Sequence, residues 1–179
     1  FGHQAEDVLR GIRRVHMVAC GTSLHAAAVA QHWFERYAAL PCQIEIASEH
    51  RYRQRVVEPD TLFVALSQSG ETADTLAALR QAKVNGYAAT LGICNVPESA
   101  LVREADLVFL TRAGAEIGVA ATKTFTAQLI GLASLVIAMM QLHSGQSEKA
   151  EALLSALQEL PQLVQTVLDC DRDIQMVAE

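Results

Sequence analysis

Two short stretches of the chain combine small hydroxyl side chains with a glycine directly after an apolar run. Residues 20–23 read Cys-Gly-Thr-Ser, and residues 67–72 read Ser-Gln-Ser-Gly-Glu-Thr. Each stretch opens a segment of helical period, and the free N–H groups at a helix start carry partial positive charge. Hydroxyls add donors without bulk, and glycine lets the backbone approach a ligand closely. This combination is typical of a cradle for a phosphate, built without lysine or arginine.

Helix capping is the simpler interpretation of either stretch taken alone, because Ser23, Ser69 and Thr72 belong to residue types that cap helices. Two such stretches at one edge of a sheet favour a ligand instead. Competing motifs fail on spacing. The chain has no G-x-x-x-x-G-K-[ST] loop, no G-x-G-x-x-G after the first apolar run, and no glycine two positions before Ser69 for a nucleophile elbow.

A third small-residue segment, 113–123, reads Ala-Gly-Ala-Glu-Ile-Gly-Val-Ala-Ala-Thr-Lys. Its glycines and alanines let the backbone pass close to a ligand. A loop that only caps the next helix, with Thr122 as N-cap, is the alternative, and both interpretations stay open. Glu116 and Lys123 are chemically capable of catalysis, but loop anchoring and helix-end charge are the roles we expect of them.

These stretches must be positioned by a fold in which apolar runs alternate with segments of helical period, which indicates βαβ units. The predicted strands cover residues 15–19, 43–46, 62–66, 89–93 and 107–110. The predicted helices cover residues 23–38, 48–53, 72–85, 97–104, about 122–143 and 148–169, with Pro161 as a candidate kink. Right-handed crossovers then predict a doubly wound α/β fold, a three-layer αβα arrangement of five parallel strands in the order 2-1-3-4-5. Strands one and three are neighbours in that order, so the two hydroxyl stretches should converge.

Composition narrows the possible partners. The chain has 179 residues, 20 acidic against 14 basic, and a net charge of −6. Nucleic acid and anionic membranes are therefore not expected, since binding them depends on clustered lysine and arginine; the arginines at 51, 53 and 55 are too few. The four cysteines are scattered, so reduced thiols in the cytoplasm are expected. The apolar run 129–140 is shorter than the ~18–20 residues of a membrane span and predicts a buried helix.

No cofactor and no metal are expected. His25 and His32 lie seven residues apart on one predicted helix, not at the four-residue spacing of a helical metal pair. The Ser-Gly-Gln-Ser stretch at 144–147 is the one linker-like segment. We therefore expect a domain at residues 1–145, followed by a C-terminal helical segment at 146–179.

Five motifs occur in a fixed order along the chain: Cys-Gly-Thr-Ser (20–23), Glu-Ile-Ala-Ser-Glu with Arg-Tyr-Arg (45–53), Leu-Ser-Gln-Ser-Gly-Glu-Thr-Ala-Asp-Thr (66–75), Ile-Cys-Asn-Val (93–96) and Glu-Ile-Gly-Val-Ala-x-Thr-Lys (116–123). Together they resemble the first sugar isomerase (SIS) subdomain of the glutamine–fructose-6-phosphate aminotransferase family, over nearly the whole chain. The resemblance implies an SIS-type, flavodoxin-like fold. Members of that family make glucosamine 6-phosphate from fructose 6-phosphate and glutamine, using a glutaminase domain and two SIS subdomains.

The resemblance also implies which residues bind the sugar phosphate. The phosphate would be held by Ser23, Ser67, Gln68, Ser69 and Thr72. The sugar would be lined by Cys20, Gly21 and Thr22, with Val119 and Ala120 closing the pocket through their backbone. Ala121 replaces a serine common among relatives, so one hydroxyl contact is lost. The family's catalytic groups belong to the second SIS subdomain and the C-terminal tail, so this chain is expected to hold no catalytic residue, and to form a homodimer.

Two other functions stay open on the residues alone. A stand-alone isomerase with a single SIS domain, such as a phosphoheptose isomerase, would need its acid and base within this chain. A non-catalytic sugar-phosphate sensor, like the SIS modules of transcription regulators, would come with a DNA-binding helix-turn-helix, and no basic recognition helix is evident in the sequence.

Overall fold

The computed structural model describes residues 1–2, 4–143 and 147–179, in which helices alternate with five strands. The strands are β1 (Arg14–Ala19), β2 (Cys42–Ile46), β3 (Thr61–Ser67), β4 (Ala89–Cys94) and β5 (Leu107–Leu110). The helices are α1 (Ala5–Gly11), α2 (Thr22–Trp33), α3 (Ala47–His50), α4 (Ala73–Val84), α5 (Ala100–Glu104), α6 (Lys123–His143), α7 (Ser147–Leu168) and α8 (Asp171–Ala178). A π-helical turn, Phe34–Ala38, extends α2. Most of the predicted linker, residues 144–146, lies outside the described residues.

The sheet is parallel throughout, with the order β2-β1-β3-β4-β5. Its centre is β3, which is buried along its whole length. Successive side chains of a strand point to opposite faces, so a strand covered on both sides needs apolar residues at every position. Leu62, Val64 and Leu66 accordingly pack in one core, and Phe63 and Ala65 in the other. The predicted three-layer, doubly wound fold and its strand order are confirmed.

The two cores define the two faces of the sheet. Helices α1, α2 and α6 cover the first face, and α3, α4 and α5 cover the second. Because α2 follows β1 and α4 follows β3, the helices that leave these two neighbouring strands lie on opposite faces. This divergence opens a crevice between the carboxyl ends of β1 and β3.

Helix α6 agrees with the predicted helix at about 122–143 but is longer than the apolar run 129–140 within it. It has 21 residues, and its most apolar stretch of 18 residues has a mean hydropathy of 1.8, which by length and composition alone would allow it to cross a membrane. The apolar run 129–140 is only its central part, so the argument from shortness was wrong. Leu132, Leu135 and Met139 are fully buried in the first core. The buried side of α6 therefore packs in the core, as the sequence predicted.

Three smaller differences between prediction and structure concern the other helices. The sequence analysis missed α1, whose first turn is acidic and whose buried contacts are few. Helix α5 begins at Ala100 rather than Pro97, because a turn from Val96 to Ser99 precedes it. Helix α7 continues through Pro161 without being split there. Local patterns locate helices well, but helix ends depend on the surrounding contacts.

Arg112 is one of two described non-glycine residues with a positive φ, 52°, and the other is Ala39 at 53°. The left-handed region costs roughly 1 kcal/mol for most residues but less for asparagine. We expect Arg112→Asn to raise the free energy of unfolding by about 0.5–1 kcal/mol, measured by urea denaturation. Ala39→Gly tests the same cause at an exposed, distant position. A loss of stability in both variants would contradict the assignment of strain.

Candidate functional site

A cleft of about 410 Å³ lies at the carboxyl ends of β1 and β3. Its lining includes every residue that the sequence analysis named for the substrate: Cys20, Gly21, Thr22, Ser23, Ser67, Gln68, Ser69, Thr72, Val119 and Ala120. Leu66, Glu116, Gly118 and Ala121 complete the lining. The fold thus brings together three segments that are far apart in sequence.

The first hydroxyl loop turns at Gly21, whose φ is 58°. Helix α2 starts at the next residue, with no acidic side chain in its first turn and no side-chain cap. Ser23 is therefore not a cap, which removes the simpler alternative at this position. It is buried, and its Oγ accepts a hydrogen bond from Gln128 Nε2 at 3.0 Å. The start of α2 thus borders the cleft with no carboxylate of its own first turn to compete with an anion.

The second hydroxyl loop is held by hydrogen bonds among its own residues. Ser67 Oγ accepts from the Gly70 N–H at 3.0 Å and lies 3.0 Å from Thr72 Oγ1. Ser69 Oγ accepts from the Glu71 N–H at 3.2 Å. Thr72 occupies the N-cap position of α4 without a side-chain capping bond. The loop therefore presents its hydroxyls and the start of α4 to the same cleft.

Contacts to α5 fix the position of this second loop. The Glu71 carboxylate accepts from the Ala100 N–H at 2.6 Å, and the Gly70 carbonyl accepts from the Leu101 N–H at 3.1 Å. Gly70 has a φ of 66° and packs directly against Ser99 and Cys94. Sequence reasoning missed these anchors, although a glycine and an acidic residue beside the serines were signals of a tight, capped turn.

The third segment is anchored by Glu116. Its carboxylate accepts from the Thr122 N–H at 2.8 Å, from Thr122 Oγ1 at 2.9 Å and from Thr124 Oγ1. Hydrogen bonds from Thr124 and Thr122 lower the pKa of Glu116 to about 2. The Glu116 carboxylate thus lies at the start of α6, where it binds both the backbone and the side chain of Thr122. These contacts give Glu116 the anchoring role expected from the sequence and leave α2 and α4 as the helix starts open to a ligand.

A second group of titratable residues lies beneath α3, away from the cleft. His16, Glu45 and His50 place one potential metal-ligating atom each within 4.8 Å of the others. However, Arg55 Nη1 lies 2.6 Å from Glu45 Oε2 and 3.0 Å from His16 Nε2. The guanidinium already supplies the positive charge that a metal ion would bring, so the arrangement does not fit a cation. It is a buried hydrogen-bond network.

The arginines of residues 51–55 are all paired with carboxylates. Arg51 Nη1 lies 2.6 Å from Asp74 Oδ1, and Arg53 and Arg55 reach Glu45 at 2.9 and 2.6 Å. Their charges are therefore largely balanced within the domain.

Fold and cleft together define a doubly wound α/β domain with a cleft at its topological switch point, where ligands bind in sheets of this kind. The SIS domain model matches residues 8–138, and the chain belongs to the SIS domain family. It is 54% identical, over its whole length, to a glutamine–fructose-6-phosphate aminotransferase (isomerizing) of Pseudomonas syringae, of which it covers 30%. A relative of the same name from Haemophilus influenzae is 51% identical, again over 30% of its length.

Solved structures show the same relation. The C-terminal domain of glucosamine-fructose-6-phosphate aminotransferase from Francisella tularensis superposes with a TM-score of 0.91 at 44% identity, over 97% of this chain and 49% of that one. A putative phosphosugar isomerase from Silicibacter pomeroyi superposes with a TM-score of 0.74 at 27% identity, over 89% of this chain and 49% of that one. The chain thus spans about 30% of the length of its curated relatives and half of these structures.

Proposed function

We propose that the chain is the sugar-phosphate-binding half of the isomerase part of a glutamine–fructose-6-phosphate aminotransferase. The observation that carries this proposal is the meeting of two hydroxyl loops and two open helix starts in one cleft. A phosphate bound there would gain donors from side chains and backbone without a cationic residue. The identity of 54% to such an enzyme over the whole chain supports fructose 6-phosphate and glucosamine 6-phosphate as the ligands.

The cleft divides naturally between the two ends of such a ligand. In this proposal Ser23, Ser67, Gln68, Ser69 and Thr72 hold the phosphate, and Cys20, Gly21, Thr22, Val119 and Ala120 line the sugar. Ala121 lines the cleft without a hydroxyl. The carboxylate of Glu116 is already engaged by hydrogen bonds to Thr122 and Thr124, which makes it a poor base for moving a proton on the sugar. Binding without turnover is the activity we assign to this chain.

The remaining parts of the reaction belong to other segments in this proposal. A glutaminase domain would release ammonia, and a second SIS subdomain would supply the acid and base. The SIS structures from Francisella tularensis and Silicibacter pomeroyi are each matched over only 49% of their length, which favours a two-unit protein over a single-SIS isomerase. We further propose a cytoplasmic homodimer.

Replacing Ser67 and Ser69 together by alanine should weaken binding of fructose 6-phosphate, glucose 6-phosphate and inorganic phosphate by roughly 150-fold or more, because two hydrogen bonds are lost. Each serine loses a hydrogen bond to a charged group, worth about 1.5–3 kcal/mol in part-buried sites. Calorimetric titration of the chain measures this loss. Ser134→Ala serves as control, because among the described residues that hydroxyl donates to the Ile130 carbonyl of its own helix, α6, and to nothing in the cleft. Equal affinity in the double variant and the original chain would disprove the phosphate site.

A further inference from the structure

We propose that Gln128 is a positioning residue that commits the Ser23 hydroxyl to donate its proton into the cleft, so that the site favours ligands that only accept hydrogen bonds. The inference rests on the proposed sugar-phosphate function and assigns a role to a residue outside the cleft lining. It comes from one contact, between the first turn of α2 and the middle of α6.

Gln128 is an unusual residue for its place in the fold. It is only 1% exposed, on a helix whose neighbouring buried positions, Leu132 and Leu135, are apolar. Its Nε2 donates to Ser23 Oγ at 3.0 Å, while its Oε1 has no partner among the described residues. A buried amide whose hydrogen bonds are only partly made is costly, and leucine would fill the same space without that cost. The contact with Ser23 is the polar interaction that this amide makes.

The direction of this hydrogen bond decides what Ser23 can do. A serine hydroxyl has one proton and two lone pairs. When Oγ accepts from Gln128, its proton must point to another acceptor, and Ser23 has no other side-chain hydrogen bond in the described part of the chain. Amide nitrogen and oxygen are assigned from such networks. A bound anion selects this orientation, because the reversed amide would take the serine proton for itself and leave a buried NH₂ unpaired.

The same arrangement recurs on the other side of the cleft. Ser69 Oγ accepts from the Glu71 N–H, and Ser67 Oγ accepts from the Gly70 N–H. Ser67 and Thr72 share one proton between their oxygens, which leaves the other proton of that pair to point outward. Ser23, Ser69 and one member of the Ser67–Thr72 pair thus each direct a proton towards the ligand. Gln128 performs for Ser23 what backbone amides perform for the loop serines.

The test is a double-mutant cycle in the 179-residue chain, with Gln128→Met, Ser23→Ala and the combined variant titrated with fructose 6-phosphate. Methionine is close in volume to glutamine and suits a buried apolar site, so the fold should be retained; Gln128→Leu is the second choice. We expect each single variant to bind about five- to tenfold more weakly, and the combined variant to bind no more weakly than Ser23→Ala alone. Gln165→Met, on the exposed face of α7, should leave the affinity unchanged.

The outcomes are separable. A purely structural role for Gln128 would lower stability and weaken binding by the same factor with or without the Ser23 hydroxyl, so additive losses would overturn the inference. Wild-type affinity in both Gln128 variants would overturn it as well. If the original chain itself bound no sugar phosphate, the proposed function would fail, and the cycle would show this in its first titration.

Discussion

Replacing Gly70 by alanine is expected to lower the free energy of unfolding by about 2–4 kcal/mol. The φ of 66° costs an L-residue roughly 1 kcal/mol. A Cβ atom at this position would also overlap Ser99 Oγ and Cβ and would lie 2.7 Å from Cys94 Sγ. Both neighbours are buried, so they cannot move without repacking, which typically costs a further 1–3 kcal/mol.

The same substitution should disturb the cleft. Moving residue 70 away from Ser99 breaks the hydrogen bond from its N–H to Ser67 Oγ and the bond from the Leu101 N–H to its carbonyl. The second hydroxyl loop then loses its preorganised shape, and affinity for fructose 6-phosphate should fall with stability. Urea denaturation and calorimetric titration of the same variant measure the two losses.

Gly86 provides the matched control for Gly70. It has a φ of 85°, but a Cβ there would meet nothing within 4 Å. Gly86→Ala should therefore lower the free energy of unfolding only through the strain of a positive φ, about 1 kcal/mol, and leave binding unchanged. Adding Ser99→Gly to Gly70→Ala removes the atoms of closest overlap and should recover part of the stability. If the two glycine variants lose the same stability, the steric explanation is wrong.

Acid pH should destabilise the domain by about 3 kcal/mol between pH 6.5 and pH 4, through His16 alone. The pKa of His16 is lowered from 6.5 to about 3. Burial is the main cause, and the positive charge of Arg55 is the second. Below pH 6.5 the unfolded chain binds a proton that the folded chain does not accept until about pH 3. Stability therefore falls as the pH drops through this range, at about 1.4 kcal/mol per pH unit once His16 is protonated in the unfolded chain.

Glu45 adds to this acid sensitivity at lower pH. Its partial burial would raise the pKa, but hydrogen bonds from His50, Arg53 and Arg55 outweigh that effect and lower the pKa to about 2. The stabilisation from this carboxylate is present above pH 4.5 and is lost as the pH falls towards 2. The His16 and Glu45 contributions thus follow one another as the solution is acidified.

Urea denaturation at several pH values between 7 and 4 measures the slope of stability. His16→Gln removes the titrating group and should give a shallower slope over this range. His32→Gln, the same substitution at an exposed position on α2, is the control for the change of residue type. Wild type, His16→Gln and His32→Gln contain the same carboxylates, so these groups cannot account for a difference in slope. Parallel slopes for His16→Gln and wild type would therefore refute the assignment to His16.

Much of the fold could be predicted from the sequence because its signals are local. The predicted strand 62–66 falls inside the observed Thr61–Ser67, and 107–110 agrees at both ends. Apolar residues at all five positions 62–66 of β3 reveal a strand buried on both faces. The helix ends were less accurate: α5 begins after a turn whose hydrogen bonds involve Val96 and Ser99.

For the site, the sequence predicted that the two hydroxyl stretches converge, because residues that follow neighbouring parallel strands gather at one edge of the sheet. The individual lining residues, Val119 and Ala120 among them, came from the resemblance to the family. Only the tertiary structure shows what orients and restrains them. Gln128 reaches Ser23 across 105 positions, Ser99 limits residue 70 to glycine, and Arg55 fills the space among His16, Glu45 and His50. Such contacts join residues from separate elements, and their energies depend on packing distances that no local pattern encodes.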